Sequence, residues 1–324
     1  MKVTYLKEEK IPMIQAENAF GLKVTFCNIG ASIYSIIYNN ELMTLTPKSP
    51  RDFLKPTIYY GKTIGGIANR VKDGKITIDD KEYQLLLNEG NNALHGGKYA
   101  LSDCIFRSKI NFGNNFFTIL YTFKKKKMID GLPGTITYYI TYCLNDMSNE
   151  LLADMKAISN DKTIISLTNH SYFCLGNDSI EGLYLTLPAS KYVLPNPVDL
   201  TPGEEKEVNK VMDFRKKKLI TRDINDKDIQ ASKTKGYDHH FIFDNDKEPV
   251  ILENSKYKLE IKTDFPGCQI YTDNYPDDIA MKSTDKPCLR GVAIEPQDSP
   301  LERKTVLKGQ IYHHQITYSF SKKD

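Results

Sequence analysis

The sequence predicts an all-β protein, a large antiparallel β-sandwich, on three observations. Apolar and polar residues alternate with period two along much of the chain, which is typical of strands with one buried face. Tyrosine and phenylalanine, which favour strands, number 20 and 14 among 324 residues. Long helical periodicity is missing, so the crossover helices that a parallel sheet requires are not available.

The strands are clearest in three stretches, residues 22–27, 135–142 and 257–262. Pairs of turn-forming residues separate other strand-like segments: Asp79-Asp80, Asn91-Asn92 and Asn114-Asn115. The best helical candidate is short, residues 226–233. Because no linker or composition shift divides the chain, we expect a single domain over residues 1–324.

Composition narrows the range of partners and compartments. Lys and Arg number 44 against 41 acidic residues, and a net charge of +3 argues against nucleic-acid and membrane partners. The basic run 124–127 is expected to be a solvated hairpin tip. Six cysteines without a C-x-x-C pair predict reduced thiols, and the N-terminus has no signal-peptide core, so a cytoplasmic location is expected. Alternation does not predict the oligomeric state.

A histidine lies inside the strand-like stretch 168–173. Alternate side chains of a strand share a face, so His170 is expected in one surface row with Thr168 and Tyr172. Such a row would combine an imidazole, a hydroxyl and a phenol. The alternative is a core histidine that is bonded to a backbone carbonyl, and this motif alone leaves both interpretations open.

Glu295 is expected at the end of an apolar strand, residues 292–294, because the following Pro296 cannot donate to a sheet ladder. A carboxylate at that point faces either solvent or a cavity. In a cavity, desolvation would raise its pKa and nearby cations would lower it, which would tune Glu295 as a proton acceptor near neutral pH.

Three other polar segments could face the same cavity. His95 precedes Gly96-Gly97, a pair that permits close backbone approach, so its imidazole could project from a tight loop. Arg70 follows Asn69 and can donate several hydrogen bonds to hydroxyls, while Asp238 can accept from two vicinal hydroxyls. The alternatives are an ordinary turn and a surface arginine.

In their order and their flanks, these segments together resemble the aldose 1-epimerase (galactose mutarotase) family. The resemblance extends from near Phe20 to the C-terminal strand, over nearly the whole chain. Similar segments also occur at residues 130–134, 211–215 and 263–272. The fold that this resemblance implies is the supersandwich of galactose mutarotase-like proteins.

The same resemblance implies an isomerase that interconverts the α and β anomers of a free aldohexose such as galactose or glucose, with no cofactor and no metal. His170 would be the general acid at the ring oxygen and Glu295 the general base at the anomeric hydroxyl. Ring opening, rotation about the C1–C2 bond and reclosure would give the other anomer. Six residues would hold sugar hydroxyls: Asn69, Arg70, His95, Tyr172, Asp238 and Gln269.

Two departures from the family pattern leave the preferred sugar open. Residues 98–103 replace a phenylalanine-rich stretch that usually leads to a tryptophan, and this chain has no tryptophan. His240 stands where asparagine is more usual. Both positions are expected beside the pocket.

Three competing interpretations remain. The histidines and carboxylates of a β-sandwich could bind a metal as in cupin-type enzymes, although the adjacent pairs His239-His240 and His313-His314 would point to opposite faces of a strand. The same polar groups could belong to a non-catalytic carbohydrate-binding protein. A phosphorylated sugar is the third possibility, if Arg70 and Arg215 reach its phosphate.

Overall fold

The computed structural model describes residues 1–230, 233–245 and 248–323, and it confirms the predicted antiparallel β architecture. All the pairings between its named strands are antiparallel. The strands of the first half are Lys2–Glu8 (β1), Ile11–Glu17 (β2), Leu22–Cys27 (β3), Ser32–Tyr38 (β4), Glu41–Leu42 (β5), Thr63–Ile64 (β6), Arg70–Val71 (β7), Lys75–Ile78 (β8), Lys81–Gln84 (β9), Ala93–Leu94 (β10), Arg107–Phe112 (β11), Phe116–Lys125 (β12), Ile136–Asn145 (β13) and Glu150–Ser159 (β14).

The second half continues the same architecture. Its strands are Thr163–Ile164 (β15), Thr168–Asn169 (β16), Tyr172–Phe173 (β17), Tyr184–Thr186 (β18), Lys191–Pro195 (β19), Pro202–Glu207 (β20), Lys218–Leu219 (β21), Asp238–Ile242 (β22), Val250–Glu253 (β23), Tyr257–Thr263 (β24), Gly267–Tyr271 (β25), Val292–Gln297 (β26), Thr305–Val306 (β27) and Ile311–Lys322 (β28).

Helical structure is sparse in the described ranges. It consists of one α-helical turn, Lys227–Gln230 (α1), and four 3-10 segments, Pro50–Leu54, Lys72–Gly74, Leu101–Asp103 and Ile220–Arg222. The predicted short helix at 226–233 is therefore present only over residues 227–230. Residues 231 and 232 of that prediction lie outside the described residues.

Three large sheets form the body of the protein. A nine-stranded sheet has the order β11-β12-β13-β14-β28-β24-β23-β18-β21, a six-stranded sheet has the order β17-β26-β25-β22-β19-β20, and β1 to β5 form a five-stranded sheet in sequence order. Four further pairs are β7 with β10, β8 with β9, β15 with β27 and β6 with β16. The predicted turn at Asp79-Asp80 joins β8 to β9.

The predicted alternation of buried and exposed faces is present in the core strands. On β13, Tyr138, Ile140 and Tyr142 are fully buried, whereas the exposed Tyr139 lies on the other face. The larger of two apolar clusters formed by the described residues includes side chains from strands as far apart in the chain as β2 and β28. Such a shared core supports one domain over residues 1–324, which stays a prediction.

Two local expectations need correction. Residues 168–173 are not one strand, because β16 pairs with β6 and β17 pairs with β26, so the chain changes neighbours at His170. Glu295 lies inside β26 rather than at a strand end, since Pro296 still pairs with Cys268 of β25. Proline is tolerated there because β17 pairs with β26 only at residues 292 and 293, so the other side of Pro296 needs no ladder donor.

The basic run 124–127 is only partly a solvated tip, because Lys125 is buried and its Nζ lies 2.8 Å from Asp130 Oδ2. All six cysteines are free thiols, as predicted. Within the described residues, no helix has the length and apolar character needed to cross a bilayer.

Candidate active site

One cavity of about 220 Å³ brings together all the site residues that the sequence predicts. Four of them lie on strands of the six-stranded sheet, and His170 lies just before its edge strand β17. The other three come from two covering loops that lie at the start of β7 and at the end of β10. The eight are Asn69, Arg70, His95, His170, Tyr172, Asp238, Gln269 and Glu295.

The floor of the cavity is a row of polar side chains across three neighbouring strands. Gln269 of β25 is directly opposite Glu295 of β26, and Asp238 lies on the adjacent β22. The Gln269 amide donates to Asp238 Oδ1 at 2.6 Å and accepts from Asn69 Nδ2 at 3.0 Å. These contacts order the acceptor oxygens before any ligand binds.

The two covering loops meet through backbone contacts between Asn69 and His95. The His95 amide donates to the Asn69 carbonyl at 3.2 Å, and both residues have left-handed backbone angles, with φ of +67° and +54°. Gly96 is required beside them, because a Cβ at this position would lie 2.5 Å from the carbonyl oxygen of Gly65. The predicted tight loop that projects His95 into a pocket is therefore present.

The protonation of His95 follows from its surroundings. Burial, with His170 and Arg70 nearby, holds its pKa well below the usual range, so the ring is neutral. The Asn69 N–H donates to Nδ1 at 3.3 Å, which leaves the single ring proton on Nε2. His95 therefore offers a hydrogen-bond donor, which suits a ligand oxygen.

His170 and Glu295 are in direct contact, with 3.3 Å between Nε2 and Oε1. Tyr172 stacks on the imidazole at a centroid distance of 4.9 Å, and Tyr59 stacks at 5.6 Å. The second oxygen of Glu295 and Nδ1 of His170 are buried without a hydrogen-bond partner. A buried group without a partner is costly, so these atoms are candidates for ligand contacts.

Burial moves the two pKa values in opposite directions. It lowers the pKa of His170 to about 3. It raises the pKa of Glu295 well above the usual carboxyl range, and the nearby Asp238 adds to that increase while Arg70 opposes it. The pair is therefore set to hold one exchangeable proton in total at neutral pH, with an uncharged imidazole in the unliganded protein.

Arg70 is the one guanidinium among the cavity-lining residues that the structure describes. Its Nε and Nη2 donate to the two oxygens of Glu89 at 2.8 and 2.9 Å. Its Nη1 lies 3.6 Å from Asp238 Oδ2. Burial raises the pKa of Asp238 and the nearby Glu89 adds to that increase, whereas Arg70 and Gln269 oppose it.

The outer wall of the cavity contains residues that sequence reasoning missed. These are Tyr60, Asp273 and Asp277, and all three are held from behind by Arg290, which does not itself line the cavity. Arg290 is only 1% exposed, and it donates to Asp273 at 2.6 Å, to Asp277 at 3.1 Å and to the Tyr60 hydroxyl at 2.6 Å. Tyr60 in turn donates to Asp277 and packs on Tyr172 with ring centroids 4.7 Å apart. The adjacent aromatic pair Tyr59-Tyr60 was the only local signal of this wall.

Several other predicted positions lie elsewhere. Thr168 is buried but does not line the cavity with His170 and Tyr172, because the strand ends between them. Residues 98–103 do not line the cavity either. His240 lies in a small neighbouring space of about 20 Å³ that shares Asn69, Asp238 and Gln269 with the main cavity.

Arg215 is exposed and paired with Asp213 in a separate surface groove, so it cannot act with Arg70 on one phosphate. His95, His170 and Glu295 present ligand atoms within 4.8 Å of one another, which is the spacing of a metal site. The tautomer of His95 argues against that use, because the protonated Nε2 has no lone pair to donate to a metal ion.

Comparison with known proteins decides the family. The profile of the aldose 1-epimerase family matches residues 12–320. The chain belongs to the aldose 1-epimerase family. The galactose mutarotase of Sus scrofa is 29% identical over 84% of this chain and 81% of its own length, and the aldose 1-epimerase of Haemophilus influenzae is 29% identical over 81% of this chain and 79% of its own.

Solved structures agree. The galactose 1-epimerase of Lactobacillus acidophilus superimposes with a TM-score of 0.91 at 27% identity, over 100% of both chains. The galactose mutarotase-like sandwich predicted from sequence is thus confirmed, and so is the prediction that the protein is an isomerase of the aldose 1-epimerase class.

Proposed function

We propose that His170 is the general acid and Glu295 the general base of aldose 1-epimerisation in this enzyme. The observation that carries this assignment is their 3.3 Å contact inside the cavity, between two groups whose pKa values are moved in opposite directions. Ring opening of a sugar needs one group that gives a proton to the ring oxygen and a second group that takes the proton of the anomeric hydroxyl. The sugar would displace their mutual contact and bind both.

The proton balance of this mechanism suits a buried site. In the ring-opening step, Glu295 takes the proton of the anomeric hydroxyl, the C1–O5 bond breaks as the C1 carbonyl forms, and His170 gives its proton to O5. Because burial favours imidazole and carboxylic acid in the unliganded protein, this step requires that the proton of Glu295 pass to His170 when the sugar binds. The reacting pair then starts as imidazolium and carboxylate and ends as imidazole and carboxylic acid. Since both states have zero net charge, the cavity never holds an uncompensated ion. Rotation about C1–C2 and the reverse transfers give the other anomer.

The six remaining predicted residues are proposed to hold sugar hydroxyls. Asp238 supplies acceptors, and Arg70 and His95 supply donors. Gln269 and Asn69 are held beside Asp238, because Asn69 donates a hydrogen bond to Gln269 and Gln269 donates one to Asp238. Tyr172 offers its hydroxyl and a flat apolar face for the C–H side of a pyranose.

The substrate is proposed to be an unphosphorylated aldohexose such as galactose or glucose. The name galactose mutarotase in several relatives supports this class. Charge supports it too, because Arg70 is already paired with Glu89 and lies 3.6 Å from Asp238, while Asp273 and Asp277 are paired with Arg290. A phosphate would therefore meet no unpaired cation among these residues.

A cytoplasmic location is retained as part of the proposal. All six cysteines are free thiols, and three of them, Cys27, Cys174 and Cys268, are buried. Reduced cysteines are typical of a reducing compartment.

Polarimetry tests the proposal. Freshly dissolved α-D-galactose and α-D-glucose are followed with purified enzyme before and after chelator treatment. We expect equilibration well above the spontaneous rate, unchanged by the chelator, and the faster sugar identifies the preference. A protein that binds either sugar without raising the rate would be a carbohydrate-binding protein instead, and a loss of rate with chelator would restore the metal alternative.

A further inference from the structure

Glu89 holds the active-site guanidinium from outside the cavity. It does not line the cavity, and its side chain is 36% exposed, yet both of its oxygens accept from Arg70 at 2.8 and 2.9 Å. This two-point contact fixes the plane of the guanidinium. It leaves Nη1, on the Asp238 side, as the nitrogen free to meet a ligand.

The Glu89 side chain is not needed to form its own turn. The backbone amides of Asn88 and Glu89 donate to the Asn92 carbonyl, and the Asn92 amide donates to the Glu89 carbonyl. Asn88 also bonds the backbone of Leu94 through its side chain. Because these bonds persist whatever side chain residue 89 carries, the pairing with Arg70 is free to serve the site.

The charge of Glu89 changes what Arg70 presents to a ligand. Arg70 is the only cation among the lining residues that the structure describes, and an unpaired guanidinium would attract an anionic sugar. With Glu89 on one side and Asp238 on the other, its single positive charge faces two carboxyl groups. The hydrogen-bond donors remain, and the net attraction for a phosphate is removed.

We propose that Glu89 is a positioning residue for Arg70 and that its charge makes the site select neutral sugars over sugar phosphates. The proposal rests on the aldose 1-epimerase function proposed above. The length of the Glu89 side chain would position Arg70, and its negative charge would disfavour sugar phosphates.

Two substitutions separate these properties. Glu89→Gln keeps the length and one acceptor oxygen but removes the charge, whereas Glu89→Asp keeps the charge but is too short for the same two-point contact. Glu82→Gln is the matched control, because Glu82 is an exposed glutamate on the nearby β9 that pairs with Lys75. Thermal unfolding checks that each variant folds.

The readouts are KM for α-D-glucose and Ki for glucose 6-phosphate that has been brought to anomeric equilibrium beforehand. Equilibrated inhibitor contributes no change in rotation, so only glucose conversion is followed. In Glu89→Gln we expect the ratio Ki/KM to fall about tenfold, since one charge near the ligand is removed. In Glu89→Asp we expect KM to rise roughly two- to fivefold, with Ki/KM within about twofold of wild type. The control should match wild type.

An unchanged Ki/KM in Glu89→Gln, or no inhibition in either protein, would overturn the selectivity role, and an unchanged KM in Glu89→Asp would overturn the positioning role. If Glu89→Gln does not fold, wild type measured at two salt concentrations replaces it. Screening should then lower Ki for glucose 6-phosphate more than it changes KM, and a Ki that rises with salt would contradict the proposal. Wild type that fails to convert glucose and galactose would refute the underlying function, which is a separate result.

Discussion

His170 Nε2 lies 3.3 Å from Glu295 Oε1, and the imidazole stacks on the rings of both Tyr59 and Tyr172. The two tyrosine rings exclude water from the His170 imidazole, and the six-stranded sheet buries the Glu295 carboxyl. Both groups are therefore uncharged at rest, and one proton can move between them and a bound sugar without a change in net charge.

The first prediction concerns pH and rate. Activity requires that the pair of His170 and Glu295 hold one exchangeable proton. The pair takes up a second proton below the lowered pKa of His170, which is about 3, and it loses its only proton above the raised pKa of Glu295. We expect kcat/KM, after subtraction of the uncatalysed rate, to stay level through pH 5 to 7 rather than to fall with an ordinary imidazole pKa near 6.5. A sigmoidal loss of activity centred near that value would contradict this assignment.

The second prediction concerns acid stability. Burial lowers the pKa of His239 and His240 to about 3, as it does for His170. Between an unfolded value of about 6.5 and the folded value, the unfolded chain binds protons that the folded chain does not, so stability falls as pH decreases. Each such histidine contributes up to about 1.4 kcal/mol per pH unit to that slope.

His240→Asn removes one of these groups and replaces it with a polar side chain that does not titrate. The slope of unfolding free energy against pH, measured by urea unfolding between pH 6 and 4.5, should become shallower by up to about 1.4 kcal/mol per pH unit. Parallel curves for the two proteins would show that His240 does not titrate in this way.

The third prediction concerns the outer wall. Arg290→Met leaves Asp273 buried without its cation, and loss of one partner from a buried ion pair costs about 3–5 kcal/mol of folding stability. Activity should also decrease, because Tyr60 loses the donor that holds it beneath Tyr172. Chemical unfolding gives the stability and polarimetry the activity. Arg215→Met, at an exposed arginine, is the control and should unfold like wild type.

The fourth prediction separates two roles of Tyr172. If its hydroxyl binds sugar, Tyr172→Phe should raise KM about two- to tenfold and leave kcat nearly unchanged, since only a ligand hydrogen bond is lost. Tyr172→Leu also removes the ring that stacks on His170, so kcat should fall as well. Equal kinetics in wild type and Tyr172→Phe would limit this residue to packing.

The sequence predicted the eight cavity residues, because the histidine, carboxylate and glycine motifs occur in the order of a known family. It did not predict the strand break at His170, since alternation cannot reveal that β16 and β17 pair with different neighbours. The residues of the outer wall were not predicted for the same reason, because the local pattern does not show which distant segments lie side by side. Arg290 and Tyr60 are 230 positions apart, and only the fold brings them together.

Glu89 was missed for a different reason. Its segment predicts a turn, and a glutamate in a turn has no visible function until the pairing of β7 with β10 places the turn beside Arg70. The direction of Glu295 was likewise undetermined from sequence, because a strand-end carboxylate and a cavity carboxylate have the same local pattern.

The most direct test of the acid–base pair is proton-detected exchange between the two anomers of galactose at equilibrium. Magnetisation of the α anomeric proton is inverted, and its transfer to the β signal is followed with wild type, Glu295→Gln and His170→Asn. We expect rapid transfer with wild type and a loss of about 10²- to 10⁴-fold in each variant, with bound sugar still detectable. Transfer by Glu295→Gln at the wild-type rate would contradict the assignment of the base.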